Sequence, residues 1–213
     1  MATKVDICNA ALSLLGDTAT VTSIDPPEGS DQADHCARFY PLALNQILST
    51  YQWSFAIKRV VPAKLAGTPV GFTEGTALAY AVPSDCLRVL EVQYKDKNPI
   101  ARVPHYNIEN IGGVRVIITD QQDIWLKYIS SQVDEALFPP AFTTALQYLL
   151  AALLTGPLIP GSSGIAVAKD HMQMYEYYLA RAKTLDARQQ RNKLQFRNPF
   201  IGDFEQGGDD VFH

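Results

Sequence analysis

Apolar residues recur at steps of three and four between Thr3 and Leu15, where Val5, Cys8, Leu12 and Leu15 are flanked by Ile7, Ala11 and Leu14. That spacing predicts an amphipathic helix. Thr3, with Asp6 three residues on, offers a relative of the capping box, and Gly16 is placed to stop the helix in the left-handed conformation. Residues 18–29, with Pro26-Pro27, read as a loop. A second helix is expected from Ser30 or Asp31 to about Thr50, because Ala33, Cys36, Ala37, Tyr40, Leu44, Ile47, Leu48 and Tyr51 keep the same spacing. Pro41 lies inside it, lacks a backbone donor and crowds the preceding turn, so a kink or break is expected there.

From Trp53 the period shortens to two. Trp53, Phe55 and Ile57 alternate with Ser54, Ala56 and Lys58, and the apolar run continues to Val61 before Pro62, which predicts a strand. Further strand-like runs are Ala79–Val82, Leu87–Tyr94, Ile100–Val103, Val114–Thr119 and Ile124–Ile129, separated by turn-forming stretches such as residues 95–98 and Gly112-Gly113. Helical spacing returns after Pro139-Pro140 with Phe142, Ala145, Leu146, Leu149, Ala152 and Leu153, apolar on most sides and closed by Gly156, Pro157 and Pro160. Its longest apolar stretch, Ala145 to Leu154, falls short of the roughly 18 residues of a membrane span and reads as a buried helix. A long fourth helix follows residues 161–164, on Ile165, Ala168, Met172, Tyr175, Leu179 and Ala182.

The fold class expected from this order is α+β. Residues 1–52 and 131–194 would form a four-helix bundle, residues 53–130 an inserted β-rich domain, and residues 195–213 an extended tail. No internal repeat interrupts this arrangement.

Composition narrows the function. The 213 residues are 47% hydrophobic and 19% charged, in the range of globular proteins, and the net charge of -4 supplies no global field toward nucleic acid or anionic lipid. Cys8, Cys36 and Cys86 are too few and too scattered for a disulfide framework or a zinc site, and the start of the chain lacks the apolar core of a signal peptide. Together these point to synthesis in a reducing cytosol. The usual nucleophile, zinc, nucleotide and dinucleotide motifs are all absent, and His35, His105, His171 and His213 fall in four separate elements, so no catalytic, cofactor or metal site is assigned. The carboxylate pairs Asp25/Glu28, Asp31/Asp34 and Asp134/Glu135 could in principle serve glycoside hydrolysis, but acids near helix starts have an ordinary role in complementing the helix dipole. Cys8 and Cys36, both on apolar helix faces, are expected to pack on each other as small core hydrophobes.

Two features point instead to docking. Between Arg181 and Arg197 stand Arg181, Lys183, Arg188, Arg191, Lys193 and Arg197 against the single acid Asp186, a local charge of +5 suited to an acidic surface or to phosphates. Beyond Lys193 the helical period is lost, and Phe196, Phe200, Phe204 and Phe212 are set among Asn, Gly, Pro and acidic residues. Such side chains can anchor a segment that orders when it binds a partner.

Several strings resemble the tail tubular protein A family, the head-to-tail adaptors of short-tailed bacteriophages. They are Ile7-Cys8-Asn9-Ala10-Ala11-Leu12 with Leu14-Leu15-Gly16, Tyr40-Pro41, Trp53-Ser54-Phe55-Ala56, and Val82-Pro83-Ser84-Asp85-Cys86-Leu87-Arg88-Val89. A last helix with Ala182 and Asp186, followed by an extended tail, completes the match. The resemblance implies a dodecameric ring in the virion, at the junction of head and tail, assembled in the host cytoplasm. Its partners would be further copies of the chain, the portal protein, the tail nozzle protein and tail fibres, with DNA passing non-specifically through the channel and no membrane. It implies no catalytic residue, cofactor or metal. The portal-docking segment would comprise Phe196, Arg197, Asn198, Pro199, Phe200, Ile201 and Phe204, beside a basic patch of Arg181, Lys183, Arg188, Arg191 and Lys193. Some adaptors of short-tailed phages degrade cell wall, so a muralytic, peptidoglycan-degrading tail enzyme is the alternative.

Overall fold

The computed structural model describes residues 2–18, 20–67, 77–94 and 106–189. The expected strand Ile100–Val103, His105, His213, Arg191, Lys193 and the whole docking segment 195–213 lie outside these residues.

The protein is α+β. Helix α1 (Lys4–Leu14) begins with the reciprocal cap its sequence offers: the Thr3 hydroxyl accepts from the Asp6 backbone N–H at 3.2 Å, and the Thr3 N–H donates to the Asp6 carboxylate at 2.9 Å. Gly16 follows with φ of 78°, in the left-handed region. Helix α2 (Asp31–Ser49) is capped by the Ser30 hydroxyl, which accepts from Ala33 N–H at 3.2 Å. Of the kink or break expected at Pro41, the break does not occur, and the helix runs through it. Cys36, Tyr40, Ala43, Leu44, Ile47 and Leu48 are buried on both sides of the proline and keep both halves in one helix. Ala37 and Pro41 also border an open cavity, where water can serve the carbonyl that proline leaves unpaired.

The expected strand from Trp53 begins four residues late. Ser54–Ala56 form a 3-10 turn, and β1 is Ile57–Val60. Alternation at Trp53 and Phe55 reflects two aromatic side chains turned into the same cluster, not a pleat. The remaining strands are β2 (Leu78–Ala81), β3 (Cys86–Tyr94), β4 (Tyr106–Ile111), β5 (Val114–Thr119) and β6 (Ile124–Ser130). They form two three-stranded antiparallel sheets, ordered β1-β6-β3 and β2-β5-β4. Strand β4 has no counterpart in the periodicity: four of its six residues are exposed, so only its pairing with β5 makes it a strand. The hairpin between them pairs Ile111 with Val114 across Gly112 and Gly113, whose φ of 60° and 84° meet the two left-handed positions of a tight turn.

Helix α3 (Pro140–Leu158) places Pro140 in its first turn, where the missing donor costs nothing. It continues through Gly156 and Pro157, the first two of the expected stop residues, and ends at Leu158, before Pro160. Leu154 and Thr155 are buried there, and Ile159 N–H closes the last turn on the Thr155 carbonyl at 2.8 Å. Helix α4 (Ser162–Gln189) lies along α3. By length and hydropathy α3 would also suit a membrane span, and it is the one such helix among the described residues. Its side chains here pack against α1, α2 and α4.

One core joins residues of all four helices with Trp53 and Ile129. A second, containing Tyr80, Val92, Ile117, Ile124, Leu126 and Tyr128, draws on both sheets. Strand β6 belongs to both: Leu126 and Tyr128 face the sheets' core, while Ile129, of opposite parity, enters the helical one.

Candidate docking interface

The last turns of α4 carry the described part of the basic patch. Arg181 and Arg188 are exposed and Lys183 is half-buried. Asp186, the single acid in the run, is turned inward and only 2% exposed. Both of its carboxylate oxygens accept from the Ser54 backbone N–H at 3.2 Å, and Oδ1 accepts from the Ser54 hydroxyl at 2.6 Å. The 3-10 turn at Ser54 has no cap from its own neighbour Trp53, so the carboxylate of α4 takes that place across 132 residues of sequence. Withdrawing the acid leaves the surface of this segment purely cationic.

Behind that contact the Trp53 indole N–H donates to the Ile47 carbonyl at 2.9 Å. Its ring lies edge-on to Tyr51 at 5.0 Å and to Phe142 at 4.9 Å, and Phe55 meets Phe138 and Phe142 at 5.5 and 4.9 Å. The exit direction of α4 is therefore fixed by a carboxylate clamp laid over an aromatic cluster.

A second polar junction centres on Asp85. Its carboxylate accepts from Ser130 Oγ at 2.7 Å, Lys58 Nζ at 2.9 Å and the Tyr128 hydroxyl at 3.1 Å, and its backbone carbonyl accepts from Ser131 N–H at 2.7 Å. Burial raises the Asp85 carboxyl pKa, but the bonds from Ser130, Lys58 and Tyr128 and the lysine charge outweigh it, and the net shift is downward. Burial, with Asp85 beside it, pushes Tyr128 up to about 12. Although serine, lysine and carboxylate meet here, Ser130 is fully buried and Lys58 is committed as a cation to Asp85, so the cluster offers no accessible nucleophile with a free base. It ties β1, β3 and β6 together. Next to it Arg115 Nη2 donates to the Cys86 carbonyl at 2.8 Å.

Because the native Asp85 pKa lies below its unfolded value, the junction adds stability above the unfolded carboxylate pKa, near 4, and loses it as pH falls through the lower native value. Asp85→Asn should therefore lower the melting temperature at pH 7 and narrow its distance from wild type as pH falls below the unfolded carboxylate value. Parallel melting curves for the two proteins as pH falls would show that the charge of Asp85 has no part in stability.

The carboxylate pairs have structural partners. Glu28 accepts from Thr22 N–H at 2.7 Å and from the Thr22 and Ser30 hydroxyls, which hold its carboxyl below the usual range. Asp25 pairs with Lys4 at 3.8 Å, Asp31 and Asp34 lie in the first turn of α2, and Asp134 caps Ala136 N–H at 2.9 Å. Glu135 Oε1 accepts from the Tyr40 hydroxyl at 3.3 Å, and burial followed by that negative neighbour pushes the Tyr40 pKa up. Cys8 and Cys36 are buried in contact, and their hydrogen bond and burial push the Cys8 thiol up. His35 and His171 lie on different helices, and no group of three potential metal ligands comes together among the described residues.

Asp186 is the residue whose role the sequence reading missed. A signal was present: it continues the steps of Tyr175, Leu179 and Ala182, so an acid stood on a stripe that must face the core. An open cavity of about 460 Å³ lies beside α2, lined by Lys4, Asp25, Tyr40, Asn45, Gln132 and Glu135 among others. Compared with models of known families and with curated proteins, the chain matches none.

Proposed function

We propose that this chain is a structural head-to-tail adaptor of a short-tailed bacteriophage, a ring subunit between portal and tail nozzle through which DNA is retained and ejected, and not an enzyme. In this reading α1 to α4 act as a four-helix bundle, residues 53–130 as an inserted β-rich domain, and residues 195–213 as the segment that docks on the portal. One observation carries it. The two most specific strings of the resemblance, at Trp53 and at Pro83 to Val89, each supply a long-range polar junction of the fold, and Asp186 of the last helix closes the first of them. The matching residues thus aim α4, whose cationic end leads into the Phe-bearing segment. A subunit of net charge -4 also suits a channel that must pass DNA without gripping it.

Removing residues 195–213 should leave the melting temperature of the isolated subunit nearly unchanged and weaken binding to the portal by at least about tenfold, or ~1.4 kcal/mol. Neither the full chain nor the truncated one should clear peptidoglycan. Equal portal binding by both proteins would remove the docking assignment. Cell-wall turnover that disappears on Asp25→Ala or Glu28→Ala would establish the muralytic alternative.

A further inference from the structure

We infer that the outer face of α4 and the cavity beside α2 are the two halves of a head-to-tail contact between copies of this chain. The inference rests on the ring-forming reading above and names the surfaces that would close such a ring. Helix α4 uses Tyr175, Leu179, Ala182 and Asp186 against the rest of the subunit. A second stripe, Met174, Tyr177, Arg181, Leu185 and Arg188, follows steps of three, four, four and three on another face, and all five residues are exposed. Tyr177 is 61% exposed and Leu185 41%. A purely solvated face needs no such side chains, whereas tyrosine and arginine at the centre of an apolar stripe are the residue types that dominate protein interfaces.

The cavity has the complementary character. Ile24, Leu44 and Val133 supply apolar wall, and Asp25 and Glu135 outnumber Lys4 among its charges. Glu135 uses one oxygen for the Tyr40 hydroxyl, which leaves the other for an incoming guanidinium. In the contact, the Tyr177 phenol enters the cavity and Arg181, about one helical turn further on, meets Asp25 and Glu135. Helix α3 packs against both α2 and α4, and α2 and α4 have little direct contact, so the ridge and the cavity lie on different faces of one subunit. Unlike surfaces on different faces produce a heterologous contact, which builds rings or chains, not an isologous pair.

The test places one cysteine in each half, Met174→Cys beside Tyr177 on the stripe and Asn45→Cys at the cavity, with a short bismaleimide at high protein concentration. The native Cys8, Cys36 and Cys86 are buried, so the unsubstituted chain provides the background. The doubly substituted chain should give a ladder of dimers, trimers and larger species. Each single variant alone should stay monomeric, and an equimolar mixture of the two should stop at dimers. Arg181→Glu in the doubly substituted chain should reduce the ladder at least about fivefold without lowering the melting temperature, since the residue is exposed and the contact is charge-assisted. No ladder, or self-linking of either single variant, overturns the contact and leaves the α4 stripe to a different partner. Portal binding measured on the same preparations separates the two ideas. A ladder without portal binding removes the adaptor reading and keeps the contact, and portal binding without a ladder does the reverse.

Discussion

Trp53→Ala should destabilise the chain by about 3–5 kcal/mol, the range for emptying a large buried aromatic site. The indole is fully buried, packs edge-on against Tyr51 and Phe142, and donates its N–H to the Ile47 carbonyl. Truncation removes the apolar contact area together with a buried donor, while the Ile47 carbonyl keeps its bond from the Thr50 hydroxyl at 2.8 Å, so most of the loss is packing. Urea titration followed by circular dichroism measures the change. A loss below about 1 kcal/mol would mean that the aromatic cluster relaxes around the hole, and that the junction does not depend on its largest member. Trp53→Phe should recover part of the loss, because it refills the site without restoring the hydrogen bond.

Asp186→Ala should cost about 2–3 kcal/mol, since hydrogen bonds to a charged group are lost and the Ser54 N–H is left partly buried without an acceptor. Ser54→Ala removes only the hydroxyl and should cost about 1 kcal/mol. In the double variant the two losses should fall short of adding, because the 2.6 Å bond is shared. Additive losses in the same urea titration would show that Asp186 acts through some other neighbour. In the adaptor reading the coupling matters for function, because α4 is the element from which the cationic segment departs. If the adaptor reading holds, Asp186→Ala should also weaken portal binding more than its loss of stability accounts for.

Both substitutions lie at a place where local pattern misled. Trp53, Phe55 and Ile57 alternate like a strand, yet the backbone at Ser54–Ala56 is a 3-10 turn, because the N–H of Ser54 is claimed by a carboxylate from the far end of the sequence. Alternation counts apolar residues and cannot register a partner 132 positions away. Of the stop residues Gly156, Pro157 and Pro160, the first two are passed, since buried Leu154 and Thr155 carry the helix on to Leu158, and it ends just before Pro160. Propensity was outweighed by packing in both.

The sequence by itself determined the four helices, the cap at Thr3, the turn at Gly112-Gly113 and the β character of the middle of the chain. Each of these rests on residues within a few positions of one another, so periodicity and cap chemistry carry them. It also marked the cationic run and the phenylalanines beyond it as chemistry in need of a partner. Only the tertiary structure decided that β4 is a strand, since its exposed residues gain order through pairing with β5 alone. It likewise decided that Asp186 is a clamp, not a solvated charge, and that Asp85 gathers Lys58, Tyr128 and Ser130 around one carboxylate. These contacts join residues remote in sequence, whose meeting depends on the packing of whole elements and leaves no periodic trace along the chain.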